Sequence, residues 1–252
     1  MLSDFSPWID GPMDWVVLLF SALLIGMSKT GIQGITTITI PLLALAFGAK
    51  ESTGLILPML CFSDLIAVVY YRRSAEWKYI WKLLPSAVAG FFLALAVDRV
   101  IPPEEFKRLM AFCIFAGLGV MFWTEWKGKD GRLFASWWYA PLFGLMGGFT
   151  TMIGNAAGPV MAVYLLSMRL PKYAFVGTSA WFFLVVNYLK LPLQIFAWEN
   201  ISLRSLVLDL TTVPVMLAGA LIGIRLVKVL PEEKYRIFII VLTILSTFML
   251  LF

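Results

Sequence analysis

Neutral hydrogen-bond donors and a lysine gather at two glycine-broken points in an otherwise apolar chain. The first break reads Gly26-Met27-Ser28-Lys29-Thr30-Gly31-Ile32-Gln33-Gly34, and the second reads Thr150-Thr151-Met152-Ile153-Gly154-Asn155-Ala156-Ala157-Gly158. Ser28, Thr30, Gln33, Thr36, Thr150, Thr151 and Asn155 bring donors that can replace an oxyanion's hydration, and Lys29 adds a positive charge. Each break also opens a new helix. The first N–H groups of that helix lack intrahelical partners and carry partial positive charge, which favours anions. Gly, Ser and Thr also let membrane helices pack closely. One such residue therefore decides little, and it is the duplication of the whole break that points to a binding site.

Ionisable residues within apolar segments are costly and are functional candidates for that reason. Asp64 falls near mid-depth of its segment and is the candidate proton-coupling group; the structural alternative is a pairing with Lys29 or with a broken-helix N-terminus. Lys29 can attract the anion, pair with Asp64, or snorkel to the inner surface. Lys190 is a second cationic candidate, while Asp209 sits closer to a segment end and reads as interfacial. The chain has no histidine, which removes the usual proton relay and metal ligand near neutral pH. No nucleophile, metal or phosphate motif is recognisable, so neither an enzyme nor a bound cofactor is expected.

These residues must be positioned by membrane helices. Hydrophobic residues form 61% of the 252-residue chain and charged ones 14%, with a mean hydropathy of +0.89, more than a water-soluble core of this length requires. About ten apolar runs follow one another: Pro12 to Met27, Ile32 to Phe47, Thr53 to Tyr71, Ile80 to Val100, Phe106 to Trp123, Trp137 to Ile153, Ala157 to Met168, Ala174 to Phe196, Leu203 to Val229 and Lys234 to Phe252. Strands of a membrane barrel would alternate apolar and polar residues, whereas these runs are apolar all round, so the chain reads as an all-α polytopic membrane protein. Tryptophans such as Trp77, Trp81, Trp137 and Trp138 fall at run ends, as an aromatic belt requires. Cys61 and Cys113 lie inside apolar runs and read as buried thiols, with no disulfide implied. The N-terminus has no basic region or small-residue cleavage site, so no removable signal peptide is expected.

The chain also repeats. A shift of 123 residues lays Gly31 on Gly154, Gly54 on Gly177 and Asp64 on Asn187. After a six-residue insertion in the second copy, Pro85 and Gly90 fall on Pro214 and Gly219, and Arg99, Pro102, Glu104 and Lys107 fall on Lys228, Pro231, Glu233 and Arg236. With both termini outside, the inner loops hold 13 Lys or Arg against five at the outer side, as the positive-inside rule asks. The net charge of +5 then faces anionic lipid rather than nucleic acid. Five segments per copy is an odd number, so the second copy enters the membrane upside down. The expected organisation is a first inverted repeat over 1–124, a basic cytoplasmic linker over 125–135 and a second repeat over 136–252. The run Ala157 to Met168 is too short to cross a hydrocarbon core of about 30 Å at about 1.5 Å per residue. Broken or re-entrant helices are therefore expected, two of their N-termini approaching the midplane from opposite faces, a recurring design in secondary transporters.

The two breaks, with Gly177-Thr178-Ser179 and Asn187-Tyr188-Leu189-Lys190-Leu191-Pro192 after the second, resemble the sulfite exporter TauE/SafE family of membrane permeases over nearly the whole chain. The first break differs from the commoner glycine-triplet form in carrying Gly31-Ile32-Gln33-Gly34. The resemblance implies transport of small sulfur-containing anions such as sulfite, sulfonates or related organic acids, coupled to protons, in the cell (inner) membrane. The candidate substrate-binding set is Ser28, Lys29, Thr30, Gly31, Gln33, Gly34, Thr150, Thr151, Gly154, Asn155, Gly158, Thr178, Ser179, Asn187 and Lys190, with Asp64 for the proton. Expected partners are a small anion, protons and membrane lipid; small-residue helix faces also permit a homodimer. An anion channel of the same architecture and, more remotely, an intramembrane enzyme are the competing readings.

Overall fold

The computed structural model describes residues 9, 11–97, 115 and 136–249. Every regular element among them is a helix. In chain order these are α1 (Pro12–Thr30), α2 (Thr36–Phe47), α3 (Ala49–Tyr71), α4 (Trp77–Val97), α5 (Tyr139–Gly154), α6 (Gly158–Ser167), α7 (Lys172–Phe196), α8 (Leu203–Val229) and α9 (Glu232–Met249). Helix α1 starts at a proline, which needs no N–H partner there, and the Asp14 carboxylate accepts from the Gly11 N–H at 3.0 Å. Helix α8 starts from reciprocal Ser202 and Ser205 hydrogen bonds.

Among the described residues five helices, α1, α3, α4, α7 and α8, are long and apolar enough to cross a membrane. Helices α2 and α6 have 12 and 10 residues, about 18 and 15 Å of helix, and neither can cross alone. The second run was expected to begin at Ile32, but α2 begins at Thr36. Ile32 to Ile35 form a turn instead, closed by the Ile35 N–H on the Ile32 carbonyl at 3.3 Å, with Gly34 at φ 95°. That positive φ suits glycine alone at little cost. At the second break, Asn155 ends α5 in the left-handed region at φ 55°, which asparagine tolerates better than most residues. The expected run Phe106 to Trp123, apart from Phe115, and the linker 125–135 lie outside the described residues.

The packing relates the two copies. Helix α1 lies along α8, with Leu23 beside Gly219 and Met27 beside Gly223, so the two run parallel. Their repeat mates, α5 and α4, also run parallel, with Leu83 beside Gly144 and Ala87 beside Gly148. Helix α3 packs on its own mate, α7. Gly54 meets Asn200, Asp64 meets Asn187 and Gly177 meets Tyr71, so this pair runs antiparallel. Mates that cross antiparallel at matching residues are related by a two-fold axis perpendicular to the helices, which is the geometry of inverted repeats. An axis along the bilayer normal would have made them parallel. Helix α6 is buried from Pro159 to Ser167, so a half-length helix is shielded from lipid by the longer ones.

Candidate functional site

The two breaks meet at the centre of this arrangement. A side-chain carbon added to Gly158, the first residue of α6, would lie 3.5 Å from the Gly34 backbone. Between them is a small cavity lined by Ser28, Lys29, Gln33, Gly34, Thr36, Thr37, Leu60, Asn155, Gly158, Ser179, Ala180 and Phe183. Its volume is about 20 Å³, room for about one water-sized particle, so a larger anion requires the breaks to part. Helix α2 begins at one wall and α6 at another. The N–H groups of Thr36, Gly158 and Val160 find no backbone acceptor among the described residues. Both helices thus present partial positive charge to one point.

Side chains complete the cavity. Lys29 sits in the last turn of α1, 2.8 Å from the Asp64 carboxylate and 3.9 Å from the centroid of the Phe183 ring. Asp64 is fully buried, and the Asn187 amide donates to its other oxygen at 2.6 Å. Lys29 and Asn187 thus hold the two carboxylate oxygens separately. Thr36 donates to Ser28 Oγ at 2.6 Å, tying the two sides of the first break together. Gln33 and Asn155 are both buried, yet among the described residues Gln33 Oε1 and Asn155 Nδ2 have no hydrogen-bond partner. Unpaired amide groups at this depth are costly, and both residues line the cavity.

Lys190 is placed differently from its expected role. Its ammonium donates to the Thr151 carbonyl at 2.8 Å, to Thr151 Oγ1 at 3.2 Å and to Asn155 Oδ1. All three of its donors are thereby engaged. It caps the negative end of α5 and turns the Asn155 amide so that its N–H₂ is left over. Other expected site residues stand behind the cavity. Thr30 bonds the Gly26 and Ala220 carbonyls, Thr150 bonds the Gly147 carbonyl, and Thr178 accepts from the Glu76 N–H at the start of α4. Gly31 packs on Gly223, Asn187 donates to Asp64, which itself stands behind Lys29, and Gly154 ends α5 with open space around it. Residues unforeseen in the sequence are Thr37, Leu60, Ala180 and Phe183, whose apolar or β-branched types carry no signal of their own. Tyr71 and Tyr235 also escaped notice. Their hydroxyls donate to the Thr30 and Gly31 carbonyls at 3.0 and 2.8 Å, satisfying acceptors at the end of α1.

Two helix breaks and the buried Lys29 thus enclose one small pocket. The family model for the sulfite exporter TauE/SafE matches residues 18–250. The chain belongs to the sulfite exporter TauE/SafE family. Neither a curated protein nor a solved structure matches it. The matched span takes in every helix break, both lysines and Asp64, and TauE/SafE membership makes the chain a multi-pass membrane transporter.

Proposed function

We propose that this TauE/SafE protein carries a small sulfur-containing oxyanion, such as sulfite or a sulfonate, by secondary transport coupled to protons. One observation carries the reading: Lys29 lines the cavity and also sits 2.8 Å from Asp64. An anion entering between the breaks competes with Asp64 for the ammonium. A carboxylate that loses its partner at this depth is costly to leave charged, and one proton from water on the open side, bound to Asp64, removes that cost. Release of the anion returns Lys29 to Asp64, and the proton leaves to water. One proton thus accompanies one negative charge, and a monoanion crosses without net charge movement.

Gln33, Asn155 and Ser179 take the place of hydration water around the anion, together with the first N–H groups of α2 and α6. The two inverted halves exchange roles, opening the site first to one side and then to the other. In this reading both termini lie outside the cell membrane, the first break approaches from the cytoplasm and the second from outside.

The test is a proteoliposome uptake screen of sulfite, sulfonates, thiosulfate and carboxylates at two pH values. Saturable, pH-dependent uptake of a sulfur oxyanion with counterflow is expected, and Asp64→Asn should keep exchange while losing pH dependence. Non-saturating flux without counterflow would instead indicate a channel. Uptake confined to carboxylates would remove the sulfur assignment.

A further inference from the structure

At the other end of α6, unconnected with the central cavity, a larger cleft of about 670 Å³ opens between the starts of α4 and α5 and the turn after α6. Gly158 lines the central cavity, whereas Tyr164, Ser167, Met168 and Arg169 line this one, about 10–15 Å further along the chain. Lys78 and Lys82 come from the first turns of α4 and Arg169 from the turn. All three are exposed, and Glu76 lies 3.7 Å from Lys78 on an open surface, a contact worth little. The floor is fixed. Tyr164 is buried and its ring stacks on Tyr139 at 5.8 Å, while the Tyr139 hydroxyl donates to Ser167 at 2.9 Å.

What surrounds the cleft decides its ligand. Trp137 at the mouth is 86% exposed, and Trp81 and Phe92 continue up one outward face of α4 at 66% and 61%. Such tryptophans belong at the headgroup level and the apolar band above them belongs to acyl chains. A cluster of cations beside a greasy wall, of a volume suited to a bound small group, matches an amphiphile with an anionic head. We propose that this cleft binds the phosphate headgroup of an anionic glycerophospholipid, with Lys82, Arg169 and Lys78 as its counter-charges and Trp137 at the glycerol level. On the orientation given above, the lipid sits in the cytoplasmic leaflet, where anionic lipid attracts basic side chains. The site itself does not depend on which anion is transported.

The test is native mass spectrometry of the purified full chain with dioleoyl phosphatidylglycerol, dioleoyl phosphatidylcholine or glycerol phosphate added at equal concentration. One phosphatidylglycerol should be retained in preference to phosphatidylcholine and to the chain-free phosphate. Lys82→Ala with Arg169→Ala should weaken retention about 25-fold, roughly fivefold per cation, while Lys82→Arg with Arg169→Lys keeps it. Arg225→Ala with Lys234→Ala, exposed cations outside the cleft, should leave it unchanged. Equal retention of phosphatidylcholine, or equal loss in both alanine pairs, would overturn the proposal. Glycerol phosphate held as tightly as the lipid would make this a soluble-phosphate site instead and overturn the lipid assignment.

Discussion

Lys29 faces two acceptors, Asp64 and the cavity, and the energetics of that choice can be read separately from transport. Replacing Lys29 by Ala leaves a buried carboxylate without its cation, a loss of about 3–5 kcal/mol in comparable buried pairs. Thermal unfolding in detergent should therefore fall sharply for Lys29→Ala and recover in large part when Asp64→Asn is added, while anion binding stays lost in both. Recovery of binding in the double variant would show that Lys29 serves stability only. Lys190 acts at one remove, through Asn155. Lys190→Met and Asn155→Ala should each raise the anion Kd about tenfold, and the combination should be little worse than either, since groups acting as a unit are not additive. Additive losses in that cycle would return Lys190 to direct contact with the anion.

Helices meet here at glycine, and at a few crossings nothing larger fits. A side-chain carbon on Gly148 would sit 1.9 Å from the Ala87 carbonyl oxygen, where α4 and α5 touch. One on Gly147, a residue earlier, would find Val160 at 4.0 Å. Gly148→Ala should thus force the pair apart, at a cost of about 1–3 kcal/mol or more, seen as loss of a monodisperse peak in size-exclusion chromatography. Gly147→Ala should elute as the parent does, since it also removes some unfolded-state freedom. The α1–α8 crossing on the other side of the molecule is as close: there Gly219, the repeat mate of Gly90, lies against the Leu23 carbonyl. Gly219→Ala should behave like Gly148→Ala. A benign Gly219→Ala would mean that the two crossings are not equivalent.

At the scale of the whole molecule, the antiparallel crossing of α3 and α7 fixes which residues share a side. Lys234 and Glu199 are exposed at opposite ends of that arrangement. In a chain freed of Cys61 and Cys113, a cysteine at 234 should react with an impermeant thiol reagent only after cells are opened, and one at 199 should react in intact cells. The reverse pattern would turn the molecule over and send the lipid cleft to the outer leaflet.

Membrane class, helical content and duplication were legible in one dimension because each depends on local composition or on a fixed offset along the chain. Uniform apolarity over a helix length leaves no amphipathic strand to build, and the offset of 123 that lays Asp64 on Asn187 is read along the chain alone. Half of the candidate site was legible on the same terms: Ser28, Lys29, Gln33, Gly34, Asn155, Gly158 and Ser179 do line the cavity. The rest was decided by where side chains point, which no spacing encodes. Lys29 and Lys190 are the same residue type in equally apolar helices, yet one faces the cavity beside Asp64 and the other spends its three N–H groups on the end of α5. Thr36 and Thr37 line the cavity while Thr30 and Thr150 bond back onto helix carbonyls, because only the packed helices determine which hydroxyl has an acceptor within reach. The sequence determined that two polar breaks exist and that they oppose each other; the tertiary structure alone decided that Gly34 meets Gly158 and that Asp64 meets its own repeat mate, since a meeting on the two-fold axis depends on how closely glycine lets the helices approach.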